Sequence, residues 1–185
     1  MAQISIHWSG NGLARLKAAV DKLGNEGQSR TVLRRALNHT GNKAFTIVKR
    51  TLAQQIGASQ AAILKYGKVR KVPATSAALE FLIISKGGPI PLKHFKARQV
   101  ASGVSAAPWR NRKIYDHAFI VPSLGGHAFW RMGSGRLPIK RIAGPNVPKE
   151  MVKDQVAVAF NALVSTNLPA RVEHEIRVLT DGVVS

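Results

Sequence analysis

The chain has 185 residues, 45% of them hydrophobic, enough for one buried core and too apolar for a disordered chain. It carries 28 Lys and Arg against 9 Asp and Glu, a formal net charge of +19, and no cysteine. Disulfides, thiolate chemistry and cysteine-ligated metals are thereby excluded, and polyanions become the favoured partners.

The charge is unevenly spread. Residues 27–149 hold 22 Lys and Arg with only Glu80 and Asp116 as acids, whereas the remainder holds 6 basic and 7 acidic residues. A middle segment of that composition attracts nucleic acid, an acidic protein surface or anionic lipid, with a merely solubilising basic surface as the competing reading. No run of about eighteen apolar residues is present, so no transmembrane helix is expected. The N-terminal MAQISIHWSGNG lacks the charged-then-apolar pattern of a signal peptide, and synthesis and folding in the cytoplasm are expected.

In chain order, Gln3 to Trp8 alternate Ile4, Ile6 and Trp8 with polar residues, the pattern of a half-buried strand ended by Gly10 and Gly12. Leu13, Leu16, Val20 and Leu23 recur at helical spacing, with Gly24 placed to stop that helix. The longest predicted element runs from Ser29, the expected N-cap, to Ile56, with Leu33, Leu37, Ala44, Ile47, Val48, Leu52 and Ile56 as its apolar stripe. Gly41 inside it costs about 1 kcal/mol relative to Ala, which predicts close packing or a bend there. Arg30, Arg34, Lys43, Lys49 and Arg50 line the opposite face; a solvated outer face is the preferred reading over a surface that lies on DNA or membrane.

A short helix from Ser59 leads into a basic loop ending at Pro73. Leu79 to Ser85, apolar on both faces, reads as a strand covered on both sides. Gly87, Gly88, Pro89 and Pro91 break regular structure. FKARQVASGV alternates imperfectly and is read as a strand that continues the sheet, AAPWRNRK is an exposed loop, and YDHAFIVP and GHAFWRMG are two strands joined at Leu124 to Gly126. In the second of these, His127, Phe129 and Arg131 share one face and Ala128, Trp130 and Met132 the other. RLPIKRI is a last strand that Pro138 demotes to a sheet edge.

Asn146 or Val147 caps the next helix, with Pro148 near its first position. Its stripe is Met151, Val152, Val156, Phe160, Leu163 and Val164; Asn167-Leu168-Pro169 ends it and opens another helix, with Val172, Ile176 and Leu179 inward. The pattern predicts a single α+β domain over residues 1–185, helical over 10–66, strand-rich over 76–143 and helical over 147–180. The long N-terminal helix and the C-terminal helices pack on a central, mostly antiparallel sheet. Glu150, Asp154, Glu173, Glu175 and Asp181 make the tail acidic, which could pair one subunit with the next in a ring or fold back within a dimer.

Catalytic signatures are weak. His94, His117 and His127 match no metal-ligand spacing, and Glu80 and Asp116 are too few to hold the ions of a nuclease. Gly133 to Arg136 lacks the Lys-Ser/Thr of a phosphate-binding loop and the spacing of a nucleophile elbow. No catalytic, metal or cofactor residues are assigned, and enzyme is the unfavoured class. Trp109 among Arg110, Arg112 and Lys113, and Phe129-Trp130-Arg131, do place aromatics beside cations as single-strand binders do, although Trp130 also suits a core. The candidates for contact with a partner or DNA phosphate are Lys93, Lys96 and Arg98; Arg110, Arg112 and Lys113; and Arg131, Arg136, Lys140 and Arg141. Contact with DNA would be sequence-indifferent and salt-sensitive.

Several of these pieces together resemble the minor tail protein Z family of lambdoid and related tailed bacteriophages. They are Pro91-Leu92 with Phe95-Lys96-Ala97-Arg98, Trp109 with its basic followers, Phe119-Ile120-Val121, the aromatic-basic GHAFWR, and Leu137-Pro138-Ile139-Lys140 with Gly144-Pro145, in the family's order. The resemblance implies a virion component without catalysis that completes the tail at its head-proximal end and enables head-tail joining. It implies a homo-oligomeric ring, a hexamer by analogy with other neck proteins. Its neighbours would be the tail terminator, tail tube and head-tail connector proteins, with nonspecific contact to phage DNA, and no membrane or small-molecule substrate. A sequence-nonspecific DNA-binding protein acting outside a virion is the alternative.

Overall fold

A computed structural model of the chain describes residues 1–6 and 26–179. The expected helix through Leu13 and Leu23 with its stop at Gly24, the end of the first strand at His7 and Trp8, and Asp181 lie outside those residues. The elements in order are β1 (Ala2–Ile6), α1 (Glu26–Ile56), α2 (Gln60–Gly67), β2 (Val69–Val72), β3 (Phe81–Ser85), β4 (Pro89–Pro91), β5 (Arg98–Val100), β6 (Gly103–Ala106), β7 (Lys113–Asp116), β8 (Phe119–Val121), β9 (His127–Arg131), β10 (Ile139–Arg141), β11 (Ala143–Asn146), α3 (Val147–Met151) and α4 (Asp154–Leu179). Short 3-10 turns sit at Leu92–Phe95, Pro108–Arg110 and Pro122–Leu124. The class is α+β, with a long N-terminal helix, antiparallel strand pairs and C-terminal helices.

The described residues group into two compact units. One comprises residues 1–2, 49–69 and 85–156; the other comprises 3–6, 26–48, 70–84 and 157–179. In the second unit the sheet order is β1-β3-β2, and the apolar run of β3 earns its central place by burying Phe81, Ile83 and Ile84. Helix α1 buries Val32, Ala36, Leu37, Thr40, Ala44 and Val48 here, so Val32 and Ala36 belong to the buried row while Leu33 and Ile47 are only half-buried. The cost of Gly41 is explained by contact: a Cβ at that position would stand 2.3 Å from Cγ of Phe81. Asn38 ties the helix to the segment before β3, its amide donating to the Ala74 carbonyl at 3.0 Å and its oxygen accepting from the Ala74 N–H at 2.8 Å.

Ser29 is not an N-cap. The helix already runs through Glu26, which leaves Ser29 in its interior, 7% exposed. The expected basic loop after α2 is partly strand β2, which pairs beside β3 with Val69 buried, Arg70 and Lys71 exposed and Val72 half-buried. Pro169 does not divide two helices. Helix α4 continues through it, with Leu168 and Val172 buried around an exposed proline, so the lost backbone hydrogen bond falls on the solvent side. Just ahead of the proline, Thr166 Oγ1 donates to the Ala162 carbonyl and the Asn167 amide to the Leu163 carbonyl.

The first unit contains three small sheets rather than one central sheet: β10-β9-β8, β5-β6-β7 and the pair β11-β4. FKARQVASGV turns back on itself, Arg98 opposite Ser105 and Val100 opposite Gly103, so one expected strand is the hairpin β5-β6. YDHAFIVP is likewise two strands in different sheets, broken at His117, whose φ of 57° is left-handed. Pro89 and Pro91, read as breakers, flank Ile90 in a short irregular ladder with Asn146 and Ala143; two missing N–H donors are tolerable in a two-stranded pair. Pro138 immediately precedes the edge strand β10.

Helix boundaries in this unit follow their caps. Ser59 accepts from the Ala62 N–H at the start of α2, and Asn146 accepts from the Lys149 N–H at the start of α3. The core gathers Leu52, Ile56 and Ile63 with Ile90, Leu92, Phe95, Val104, Ala106, Ile142, Val147 and Met151, each large side chain contributing about 1.5–3 kcal/mol on burial. Gln99 stitches two sheets together: its amide donates to the Gly103 carbonyl at 2.8 Å, and its oxygen accepts from the Ile120 N–H at 2.9 Å.

Candidate polyanion-binding surface

The division into units sharpens the charge map. The first unit holds 17 Lys and Arg against three acids, Asp116, Glu150 and Asp154, a formal +14 out of the chain's +19. Glu150 and Asp154 both face Lys153, at 3.0 and 3.6 Å. All ten basic residues named from the sequence belong to this unit, and all are exposed except Lys93, which is half-buried.

They fall into three places. Lys93 and Lys96 sit on and just after the Leu92–Phe95 turn, and Lys93 Nζ donates to the Gly125 carbonyl at 2.9 Å. Arg98, Arg110, Arg112 and Lys113 belong to the β5-β6-β7 sheet and the turn leading into β7. Cross-strand partners share a face, so Val104 with Tyr115, and Ala106 with Lys113, stand on the face whose centre is buried. Arg98, Ser105 and Ile114 stand on the other, where Arg112 lays its guanidinium on Ser105 Oγ at 2.9 Å. Ser105 is 4% exposed although Ile114 beside it is 54% exposed.

Arg131, Arg136, Lys140 and Arg141 belong to the β9-β10 hairpin. Lys140 lies opposite Trp130, and Arg141 opposite Phe129 and thereby on the face of Phe119. The alternation expected for β9 is thus realised. Arg131 is partly committed: its guanidinium stands 5.1 Å from the Phe119 ring centre and donates to the Arg136 carbonyl at 3.1 Å. Trp130 is also engaged, its indole N–H on the Asp116 carbonyl at 3.1 Å and its ring tilted against Tyr115 at 6.1 Å.

The turn at Pro108–Arg110 is strained. Trp109 has φ 52° and ψ 28°, and Arg110 has φ 59°, two successive side-chain-bearing residues in the left-handed region at a cost of about 1–3 kcal/mol each. Three anchors hold it. The Ala107 N–H donates to the Phe95 carbonyl at 2.9 Å. Gly57, itself at φ 79°, lets the chain approach so closely that a Cβ there would be 2.9 Å from the Arg110 nitrogen. The third anchor is the Trp109 indole, which lies close enough to the Glu150 carboxylate to help lower its pKa.

Glu150 is 5% exposed, and burial by itself would raise its pKa. Hydrogen bonds from Gln55, Lys153 and Trp109, with the positive charge of Lys153, outweigh burial and hold the carboxyl below its ordinary value. Gln55 Nε2 reaches both the Glu150 carbonyl at 3.2 Å and its carboxylate at 3.0 Å. Two of the tail acids expected to face another subunit are therefore used internally: Glu150 here, and in the other unit Glu175, 5% exposed and paired with Arg171 and Arg35.

Sequence reading missed one grouping. Lys65, Tyr66, Lys93, His94, His127 and Arg141 come together although they are scattered along the chain. Tyr66 Oη is 3.0 Å from His94 Nε2. Burial first, then Lys93 and Lys65, lower the His94 pKa; burial first, then Lys93, Arg141 and His94, lower that of His127. Both imidazoles are neutral at neutral pH, and the cations around them would repel a metal ion. Among the described residues no three His, Asp or Glu side chains converge in a way that could hold one. No helix among those residues is long and apolar enough to cross a membrane.

The arrangement defines an α+β protein whose strand-rich unit presents a dense, largely unanswered positive surface around a strained aromatic turn. Comparison of the chain with protein-family models, curated proteins and solved structures returns no match.

Proposed function

We propose that the chain is a structural virion protein of a tailed phage or prophage. It completes the tail at the head-proximal end and enables head-tail joining, without catalysis. The observation that carries this reading is the strand-rich unit's charge, +14 with Lys153 already facing two of its three acids, which suits packing against acidic rings or DNA phosphates. Support also comes from the phage-tail-like motifs, which fall on one unit: Phe95 to Arg98 at the 3-10 turn and β5, Trp109 at the strained turn, Phe119 to Val121 as β8, and Leu137 to Lys140 at the start of β10. The protein acts as a homo-oligomeric ring, hexameric by analogy, between the tail terminator or tail tube and the head-tail connector, within the virion and made in the host cytoplasm.

The test is charge reversal of Arg110, Arg112 and Lys113 together, each to Glu, in particles assembled with the variant. Tails of normal length that fail to join filled heads are expected. Normal yields of infectious particles would remove this turn from the joining interface.

The exposed Trp109 among cations also suits a nonspecific DNA-binding protein working outside a virion. Tight duplex binding by a soluble monomer at physiological salt, with no incorporation into particles, would favour that role.

A further inference from the structure

We infer that the Pro108–Lys113 segment is a preformed site for single-stranded nucleic acid, in which a base stacks on the open face of Trp109 and Arg110 and Lys113 meet the flanking phosphates. The inference deepens the polyanion-facing reading of the strand-rich unit and rests on it.

Trp109 is 43% exposed although the turn that carries it is anchored on both sides. An aromatic side chain exposed to this extent on a fixed backbone is positioned to stack with little further loss of freedom. Its backbone stands in a left-handed conformation, and the close approach of Gly57 and the hydrogen bond from Ala107 to Phe95 hold the turn that carries the ring.

The cations are placed to complement it. Residues 109 to 113 span at most about 14 Å of chain, so all three basic side chains lie within reach of a nucleotide on the ring. Among the described residues the side chains of Arg110 and Lys113 engage no partner, whereas Arg112 is spent on Ser105. Trp130 is the poorer platform because Tyr115 tilts against it and its N–H is held by Asp116.

An acidic protein surface would satisfy the cations but has no use for an exposed indole face. A duplex would satisfy the phosphate contacts but keeps its bases stacked on each other. A single strand uses both features, since every base offers a π-face.

The experiment compares binding of a short oligothymidylate, a duplex of equal length and heparin to the full-length protein at fixed salt, with Trp109→Leu, Trp109→Phe and Trp130→Leu. The expected result is quenching of tryptophan fluorescence by the oligothymidylate that Trp109→Leu abolishes and Trp130→Leu retains. Trp109→Leu weakens oligothymidylate binding about tenfold or more and leaves duplex binding within about twofold. Trp109→Phe keeps an aromatic face but lacks the N–H, so it retains most of the single-strand affinity. Equal loss in the Phe and Leu variants would mean that the anchored turn matters and the ring does not, and overturns the proposal. Unchanged oligothymidylate binding in Trp109→Leu, or binding no tighter than to heparin and duplex, overturns it as well. Either failure leaves tail completion standing, since that is read from particle joining in the charge-reversed variant, which retains Trp109.

Discussion

Glu150 is the residue on which the strained turn depends. Its carboxylate receives Gln55, Lys153 and Trp109 from three separate parts of the chain, so removing it orphans polar groups that the fold has already taken from water. Glu150→Ala is expected to cost about 1–3 kcal/mol, measured by denaturant unfolding, and to increase the accessibility of Trp109 to a fluorescence quencher. The pH dependence follows from its lowered pKa. The folded state holds this proton more weakly than the unfolded chain does. Its contribution is therefore fully present above the ordinary carboxylate range and is lost as pH falls through and below that range. The melting temperature of the wild type should decline on acidification more steeply than that of Glu150→Ala; parallel curves would show that Glu150 does not set the acid limb. None of this could be read from the sequence, where Glu150 is simply one acid in an acidic tail.

At the level of elements, Gly41 is the sharpest case. In an open helix Gly→Ala stabilises by about 1 kcal/mol. Here the new methyl would enter the Phe81 ring, and overpacking of this kind typically costs about 1–3 kcal/mol. Gly41→Ala should therefore lower the melting temperature, and Gly41→Ala combined with Phe81→Leu should recover part of the loss. Gain of stability in the single variant would mean that helix α1 and strand β3 are not packed this tightly. The helix, its glycine and the buried strand were legible because each has a strong period or a sharp punctuation. The pairing of strands was not. FKARQVASGV, which alternates imperfectly, and YDHAFIVP, with its apolar run, each read as one strand, and only backbone pairing with neighbours splits them at Ala101-Ser102 and at His117. Pro169 misled for the opposite reason, since burial of Leu168 and Val172 outweighs a local breaker on the exposed side.

The whole molecule is governed by its charge. If the strand-rich unit meets DNA phosphates, affinity for duplex should fall linearly on a log-log plot against salt. The slope should shrink by about 0.9 for each phosphate contact removed by charge reversal at Arg110, Arg112 and Lys113. A slope unchanged in the triple variant would place duplex contact elsewhere, with Lys140 and Arg141 the next residues to reverse. Division into units strengthens this expectation, because it concentrates most of the net charge on residues 49–69 and 85–156.

Composition and periodicity alone were sufficient to establish the α+β class, the long N-terminal helix, the hairpin through Gly125, the helix starts near Ser59 and Asn146 and the concentration of cations in the middle of the chain. These depend on local backbone preference and on the count of charges, which a linear chain already contains. The set of small separate sheets, the tight fit at Gly41, the left-handed Trp109-Arg110 turn and the burial of Glu150 were decided only on folding. Each depends on residues distant in the chain coming within a few ångströms, where a missing Cβ, a shared hydrogen bond or a desolvated carboxylate outweighs what the local sequence prefers.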